Sequence, residues 1–255
     1  MRNKNKSLLP AGTFYNEISD FYEKMIDFDK NLELRTRAYQ KIFRKKGRAA
    51  DIGCGVGLDS LALALNGHVV HSFDISPRMI EETGKNAVKY GVRLEARVSS
   101  YETLSKSYNK KFDYVISVGN TIAHVDSSGL RSAVRKMYGM LVPGGKIFLH
   151  ILNYPLIIKE NRRINNIANR GGKVIIRFYD FAARHLNFNI LSFMQDSPKQ
   201  FQLVTTKHFP HSNSEIASYL KGAGFGQIEF MSNFTGDKFD FKKSKDLFIE
   251  AVKKL

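Results

Sequence analysis

The chain has 255 residues, 43% of them apolar, enough for one sizeable core or a core with a small subdomain. Its single cysteine, Cys54, excludes a disulfide framework and a cysteine-based zinc site and fits a reducing cytoplasm. Lys and Arg number 40 against 24 Asp and Glu, a formal charge of +16 that suits a solvated surface first and an anionic partner, such as nucleic acid, second.

In chain order, FYNEISDFYEKMID (14–27) sets Phe14, Ile18, Phe21, Tyr22 and Met25 at helical spacing, and 33–45 reads as a second helix. RAADIG is a strand and LDSLALALN a helix. HVVHSFDI is a strand, and PRMIEETGKNAVKYG a helix opened by Ser76 as N-cap with Pro77 at the first helical position. RLEARV and FDYVISVG are strands. SSGLRSAVRKMYGML is a helix stopped by the Pro143-Gly144-Gly145 turn, and KIFLHIL a strand. This alternation predicts a doubly wound, mostly parallel sheet with helices on both faces. After Asn153, VIIRFYDF, LNFNILSFM and FQLVTTKHF read as three strands with no helix between them, an antiparallel insertion over roughly 173–210. SNSEIASYLKGAGF returns to helix, capped by Ser212 or Ser214 and stopped by Gly222 or Gly224, and QIEFMSNF and DLFIEAVK return as strands. No stretch approaches the ~18 apolar residues of a membrane helix, and MRNKNKSLLPAG has no apolar run of signal-peptide length.

The stretch ADIGCGVGLDS (50–60) places Gly53, Gly55 and Gly57 between a strand and a helix, where close backbone approach and a helix N-terminus suit a nucleotide. It differs from the dinucleotide pattern, since Leu58 stands where the third glycine would fall, and it lacks a phosphate-binding lysine. Asp74 ends the next strand, where a carboxylate can accept both ribose hydroxyls.

Taken together, D-I-G-C-G-V-G, the acidic end of the second strand, FDYVIS and LVPGG resemble class I S-adenosylmethionine-dependent methyltransferases over about 48–155, and 212–255 resembles that family's last helix and two strands. VGNTIAHV (118–125), HILNY (150–154) and RTRAY (35–39) are similar to the glycine and sarcosine N-methyltransferases and related small-molecule enzymes. The resemblance implies a Rossmann-like seven-stranded sheet divided as an N-terminal helical cap (1–47), a cofactor-binding core (48–155), an antiparallel substrate lid (156–211) and a returning segment (212–255). It implies S-adenosylmethionine as cofactor, with S-adenosylhomocysteine as product. Arg35 would grip the methionyl carboxylate, a bidentate task suited to guanidinium. Asp51 and the Gly53 backbone would meet the methionyl amine, Asp74 the ribose, and Ser100 and Tyr101 the adenine. Tyr22, with Tyr15, would close over the cofactor or else belong to the core, and Cys54, Gly55, Gly57, Ile75, Met79, Val118 and Gly119 complete its expected site. Asn120 would lie beside the sulfonium and the acceptor, and Tyr179, with Asp180, would enter from the lid. In the glycine enzymes an arginine before N-Y binds the substrate carboxylate. Here Leu152 stands at that position, and Arg177 and Arg184 of the insertion are the nearest alternative donors.

His124, after the fourth strand, is the one candidate general base on the core; its other reading is a hydrogen-bonded structural histidine. His68 and His71 point to opposite faces of a strand, so no metal site is expected. His208 and His211 flank Pro210 and read as surface residues. The expected activity is transfer of a methyl group by in-line displacement to a small-molecule acceptor, nitrogen before oxygen. The alternatives are methylation of tRNA or rRNA, which the +16 charge suggests, and a catalytically silent module that binds the cofactor. No membrane insertion is expected, and the sequence leaves the oligomeric state open.

Overall fold

The computed structural model describes residues 4, 5 and 8–255; the reading of MRNKNKSLLPAG as free of a secretion signal lies partly outside them. Two N-terminal helices come first, α1 (Ala11–Ile26) and α2 (Phe28–Ile42). The periodicity of α1 buries Phe14, Ile18, Phe21 and Met25, each worth about 1.5–3 kcal/mol of transfer free energy. Asp27, at positive φ, breaks the chain between the two helices, so the second starts earlier than its sequence pattern indicates.

The main sheet has seven strands. In spatial order they are β11 (Phe225–Met231), β12 (Asp246–Lys253), β6 (Leu141–Leu152), β5 (Phe112–Ser117), β2 (Arg48–Ile52), β3 (Val69–Asp74) and β4 (Glu95–Val98). β6, β5, β2, β3 and β4 run parallel, and β12 is antiparallel to both its neighbours. Central β5 is buried along almost its whole length, as a strand covered on both faces must be. Helices α3 (Leu58–Leu65), α4 (Pro77–Lys89), α5 (Ser127–Met140) and α7 (Asn213–Ala223) connect the strands. Ser76 caps α4 by accepting the Met79 N–H at 3.1 Å, and Ser212, rather than Ser214, caps α7. The Pro143-Gly144-Gly145 segment does not form a free turn. α5 ends at Met140 and β6 begins at once, with the register slipping between Phe112 and Tyr114 opposite this segment.

The insertion differs from the three strands read in the sequence. After the short helix α6 (Tyr154–Lys159), in which the 155/156 boundary falls, it has four: β7 (Ile164–Arg170), β8 (Lys173–Phe181), β9 (Leu186–Met194) and β10 (Phe201–His208). These form an antiparallel meander, and β1 (Lys4–Asn5) adds to β10 in parallel. β7 was missed because INNIANR has few apolar residues and no clean alternation.

Helix α1 is fastened to both sheets. On the lid side, the Leu9 N–H donates to the Thr205 carbonyl at 2.8 Å and Gln202 to the Glu17 carbonyl at 3.1 Å. On the core side, Ser76 donates to Asn16 Oδ1 and Asn86 to Glu23, both at 2.6 Å. Among the described residues no helix is long and apolar enough to cross a membrane.

Candidate active site

Three glycines in five residues need a cause, and the backbone supplies it. Gly53 has φ +78°, and a Cβ there would stand 2.2 Å from Thr121 Cγ2. Gly57 has φ +88° and packs against Leu61 and Thr83, so it serves the contact between α3 and α4. The amides of this turn are already engaged. Gly53 and Cys54 both donate to the Phe73 carbonyl, at 2.7 and 3.0 Å, and Gly55 donates to Asp74 Oδ2 at 2.9 Å. A loop whose N–H groups are used in this way is a poor phosphate site.

Above the loop lies a cavity of about 1370 Å³ between the carboxyl ends of the central strands, α1 and the lid sheet. Most of the sequence-predicted site converges on it. Tyr22, Arg35, Gly53, Cys54, Gly55, Asp74, Ile75, Ser100, Tyr101, Val118, Gly119, Asn120, His124 and Tyr179 all line its wall. Tyr15 and Leu152 line it too.

Three expected residues do not line it. Asp51 is buried, with its carboxylate turned to Ser60, whose hydroxyl donates to it at 2.7 Å. Burial first, and then the charge of Asp59, push the Asp51 carboxyl up to about 8. Gly57 stands behind the turn, in the helix contact just described. Met79, in the first turn of α4, is fully buried. The residue that meets the cavity in place of Asp51 is Asp59, in the first turn of α3; its only sequence signal is an acidic residue just after a glycine turn.

Three further expectations are corrected. His208 and His211 are 2% and 3% exposed, so neither is a surface residue. His208 lines the cavity, and His211 bonds the Val125 carbonyl at 2.8 Å. Arg184 is exposed and lies off the cavity, whereas Arg177 lines it. Asp180 likewise stays outside, accepting from Asn189 at 2.9 Å.

The floor holds two polar anchors. Asp74 accepts the Gly55 and Ser76 amides at 2.9 and 2.8 Å, which leaves each oxygen a further lone pair; burial raises its pKa against these two bonds. Arg35 sits with its guanidinium carbon 3.6 Å above the Phe234 ring and its Nε 3.5 Å from Asp59, while its Nη1 is buried without a hydrogen-bond partner.

The centre is a fixed hydrogen-bond chain. Asn120, at φ +73°, accepts the Leu152 N–H on Oδ1 at 3.1 Å, which sets its amide orientation. Its Nδ2 therefore donates to Tyr154 Oη at 2.7 Å. The Tyr154 hydroxyl in turn meets His208 Nδ1 at 2.8 Å. His208 stacks on Phe188, and its Nε2 is buried without a partner. His124 meets the Tyr15 hydroxyl through Nε2 at 2.9 Å. Burial lowers the His124 pKa to about 4; burial, and then its neighbour His124, hold His208 well below the ordinary imidazole range. Both are neutral at pH 7.

Residues 49–145 match the family of methyltransferase domains. Residues 49–145 are a methyltransferase domain, and the fold is that of the class I, S-adenosylmethionine-dependent enzymes. The chain is 21% identical over 244 residues to the glycine/sarcosine N-methyltransferase of Parasynechococcus marenigrum, across 94% of this chain and 84% of that protein. Over 106 residues it is 33% identical to a ubiquinone biosynthesis O-methyltransferase of Xanthomonas euvesicatoria, spanning 42% of this chain and 43% of that one. A methyltransferase structure from Clostridium acetobutylicum shares the fold, with a TM-score of 0.76 at 16% identity over 94% of this chain and 99% of that chain.

The cavity suits the methyltransferase's cofactor. The unpartnered Arg35 Nη1 is a donor for a carboxylate, Asp74 has lone pairs left for two hydroxyls, and the closed loop amides match a ligand that is cationic at sulfur and has no phosphate.

Proposed function

We propose that the protein methylates a small-molecule amine. When bound, S-adenosylmethionine supplies an electrophilic methyl group on a sulfonium. Arg35 holds its carboxylate and Asp74 its ribose hydroxyls. Tyr101, whose hydroxyl lies 2.9 Å from Ser117 Oγ, and Ser100 flank the adenine, and Tyr15 and Tyr22 exclude water from the α1 side. Asn120, held by Leu152 and Tyr154, positions the acceptor. Alignment of this kind can supply on the order of 7–11 kcal/mol.

The observation that carries the nitrogen preference is the state of the histidines. At a pKa of about 4, His124 is a weak base, and burial, then its neighbour His124, weakens His208 as a base too. A phenol or alcohol needs a base, whereas an amine that enters neutral does not. The lid over the cavity supports a small acceptor over a nucleic acid, and the single buried cysteine supports a reducing compartment such as the cytoplasm.

The test is release of S-adenosylhomocysteine across matched panels of amines and phenols, with cofactor binding followed by calorimetry. Turnover of amines alone is expected. Turnover of phenols alone would overturn the nitrogen preference, and failure to bind the cofactor would overturn the whole reading.

A further inference from the structure

The cavity wall carries three histidines, His124, His150 and His208. His124 and His208 each leave a ring nitrogen without a partner, whereas both nitrogens of His150 are engaged. His150 has neither a free lone pair nor a free proton to offer a ligand, so its place on the wall needs another account.

Strand pairing supplies that account. The parallel ladder between β5 and β6 closes at Ser117 and Leu149. Just past it the chain leaves β5 through Gly119 and Asn120, consecutive residues at φ +74° and +73°. The Gly119 amide donates to His150 Nδ1 at 3.2 Å, so a side chain takes over where the strand-to-strand ladder stops. A backbone N–H can only donate; Nδ1 therefore carries the lone pair, and the ring proton lies on Nε2. Nε2 stands 2.9 Å from Asp246 Oδ1, which accepts that proton. A reversed ring would set carbon against both partners. The ring also stacks on Phe248, its cross-strand partner on β12, with centroids 4.4 Å apart. Asp246 lies two residues before Phe248 and so shares its face.

A non-glycine residue at positive φ persists where its surroundings over-determine it. The far side of the Asn120 turn is held by the Thr121 hydroxyl, which donates to the Val118 carbonyl at 2.9 Å, and by the Leu152 N–H on Asn120 Oδ1. Its entry is held by His150. We propose that Asp246 and His150 are positioning residues for methyl transfer: Asp246 fixes the His150 tautomer, His150 fixes the Gly119 amide, and the turn thereby carries the Asn120 side chain to the acceptor. This rests on the methyl-transfer reading, in which Asn120 positions the acceptor.

Two substitutions divide the imidazole. In His150→Asn an amide oxygen falls near the place of Nδ1, within reach of Gly119 but not of Asp246. In His150→Gln the amide falls near the place of Nε2, within reach of Asp246, and the Gly119 N–H loses its acceptor. Gln is nearer to His in volume, so a role in packing alone would leave His150→Gln the better enzyme. The readouts are hydrogen exchange at the Gly119 amide, turnover of the panel amine that wild type methylates fastest, S-adenosylhomocysteine affinity by calorimetry, and the ring-nitrogen resonances of His150. His150→Gln is expected to speed Gly119 exchange and to lower kcat, each about tenfold or more, with S-adenosylhomocysteine affinity held within about threefold. His150→Asn is expected to keep exchange and kcat within about threefold of wild type. Asp246→Ala, at a half-buried position, should bring in the second His150 tautomer and speed Gly119 exchange, and it serves as the test if a His150 variant fails to fold. A wild-type proton on Nδ1, equal losses in the two His150 variants, or the better performance in His150→Gln would overturn the proposal. If wild type fails to bind S-adenosylhomocysteine, the failure belongs to the methyl-transfer reading, while exchange and the nitrogen resonances of the unliganded protein still decide whether His150 holds the turn.

Discussion

The floor and the roof of the cavity are built on different principles. The floor is main chain in tight conformations: Gly53 against Thr121, Gly55 on Asp74, Asn120 at positive φ. Its residues are dictated by what the backbone can tolerate. The roof is a regular sheet whose chemistry comes from which side chains its register turns inward. On the proposed reading, a floor of this kind can change little without losing the cofactor, whereas a roof can change its acceptor by single substitutions that leave the strands intact.

The difference can be broken from the floor first. Gly53→Ala puts a methyl group 2.2 Å from Thr121 in a left-handed backbone, and a loss of about 3 kcal/mol or more is expected by chemical denaturation. Asp74→Ala removes the ribose acceptor and frees the Gly55 and Ser76 amides, so calorimetry should show cofactor affinity down by ten- to a hundredfold, about 1.4–2.8 kcal/mol.

The join between floor and roof comes next. Asn120→Gly keeps the positive φ at no steric cost but cuts the chain to Tyr154 and His208. Turnover should fall by about tenfold or more with cofactor affinity nearly unchanged. Equal losses in both would mean that Asn120 belongs to the cofactor alone.

A smaller effect reads the buried imidazoles. A folded-state pKa near 4 means that His124 contributes stability above its ordinary value of 6.5, and that this is lost as pH falls toward 4. The raised Asp51 carboxyl runs the other way, losing stability as pH rises toward about 8, so the wild-type curve alone mixes the two. Comparison with His124→Phe separates them: the acid limb of the stability curve should flatten by up to about 3 kcal/mol. The smallest effect is expected at Arg184. Exposed and off the cavity, its replacement by Ala should shift stability by less than about 0.5 kcal/mol and leave turnover intact.

The sequence made the floor legible because its demands are local. Three glycines, a carboxylate at a strand end and Asn120 after the fourth strand of the core each mark a backbone event within a few residues. Asp51 was misplaced because a motif gives position but not side-chain direction; Ser60, one turn into α3, draws its carboxylate inward. The roof was less legible. INNIANR carries no strand signal of its own and is held by pairing with β8. His208 reads as polar beside a proline, yet its burial comes from Phe188 and His124, 20 and 84 positions away in the chain. Such contacts leave no periodic trace.

The occupied amides of the glycine turn bear on which adenine-containing ligands it can hold. ATP and NAD carry the same purine and sugar, and a site that recognised only those parts would be swamped by them. Here a polyphosphate would meet backbone hydrogens already claimed by Phe73 and Asp74, with the like charges of Asp59 and Asp74 close by. A ligand that drew its affinity from the Gly53, Cys54 and Gly55 amides would find none of them free.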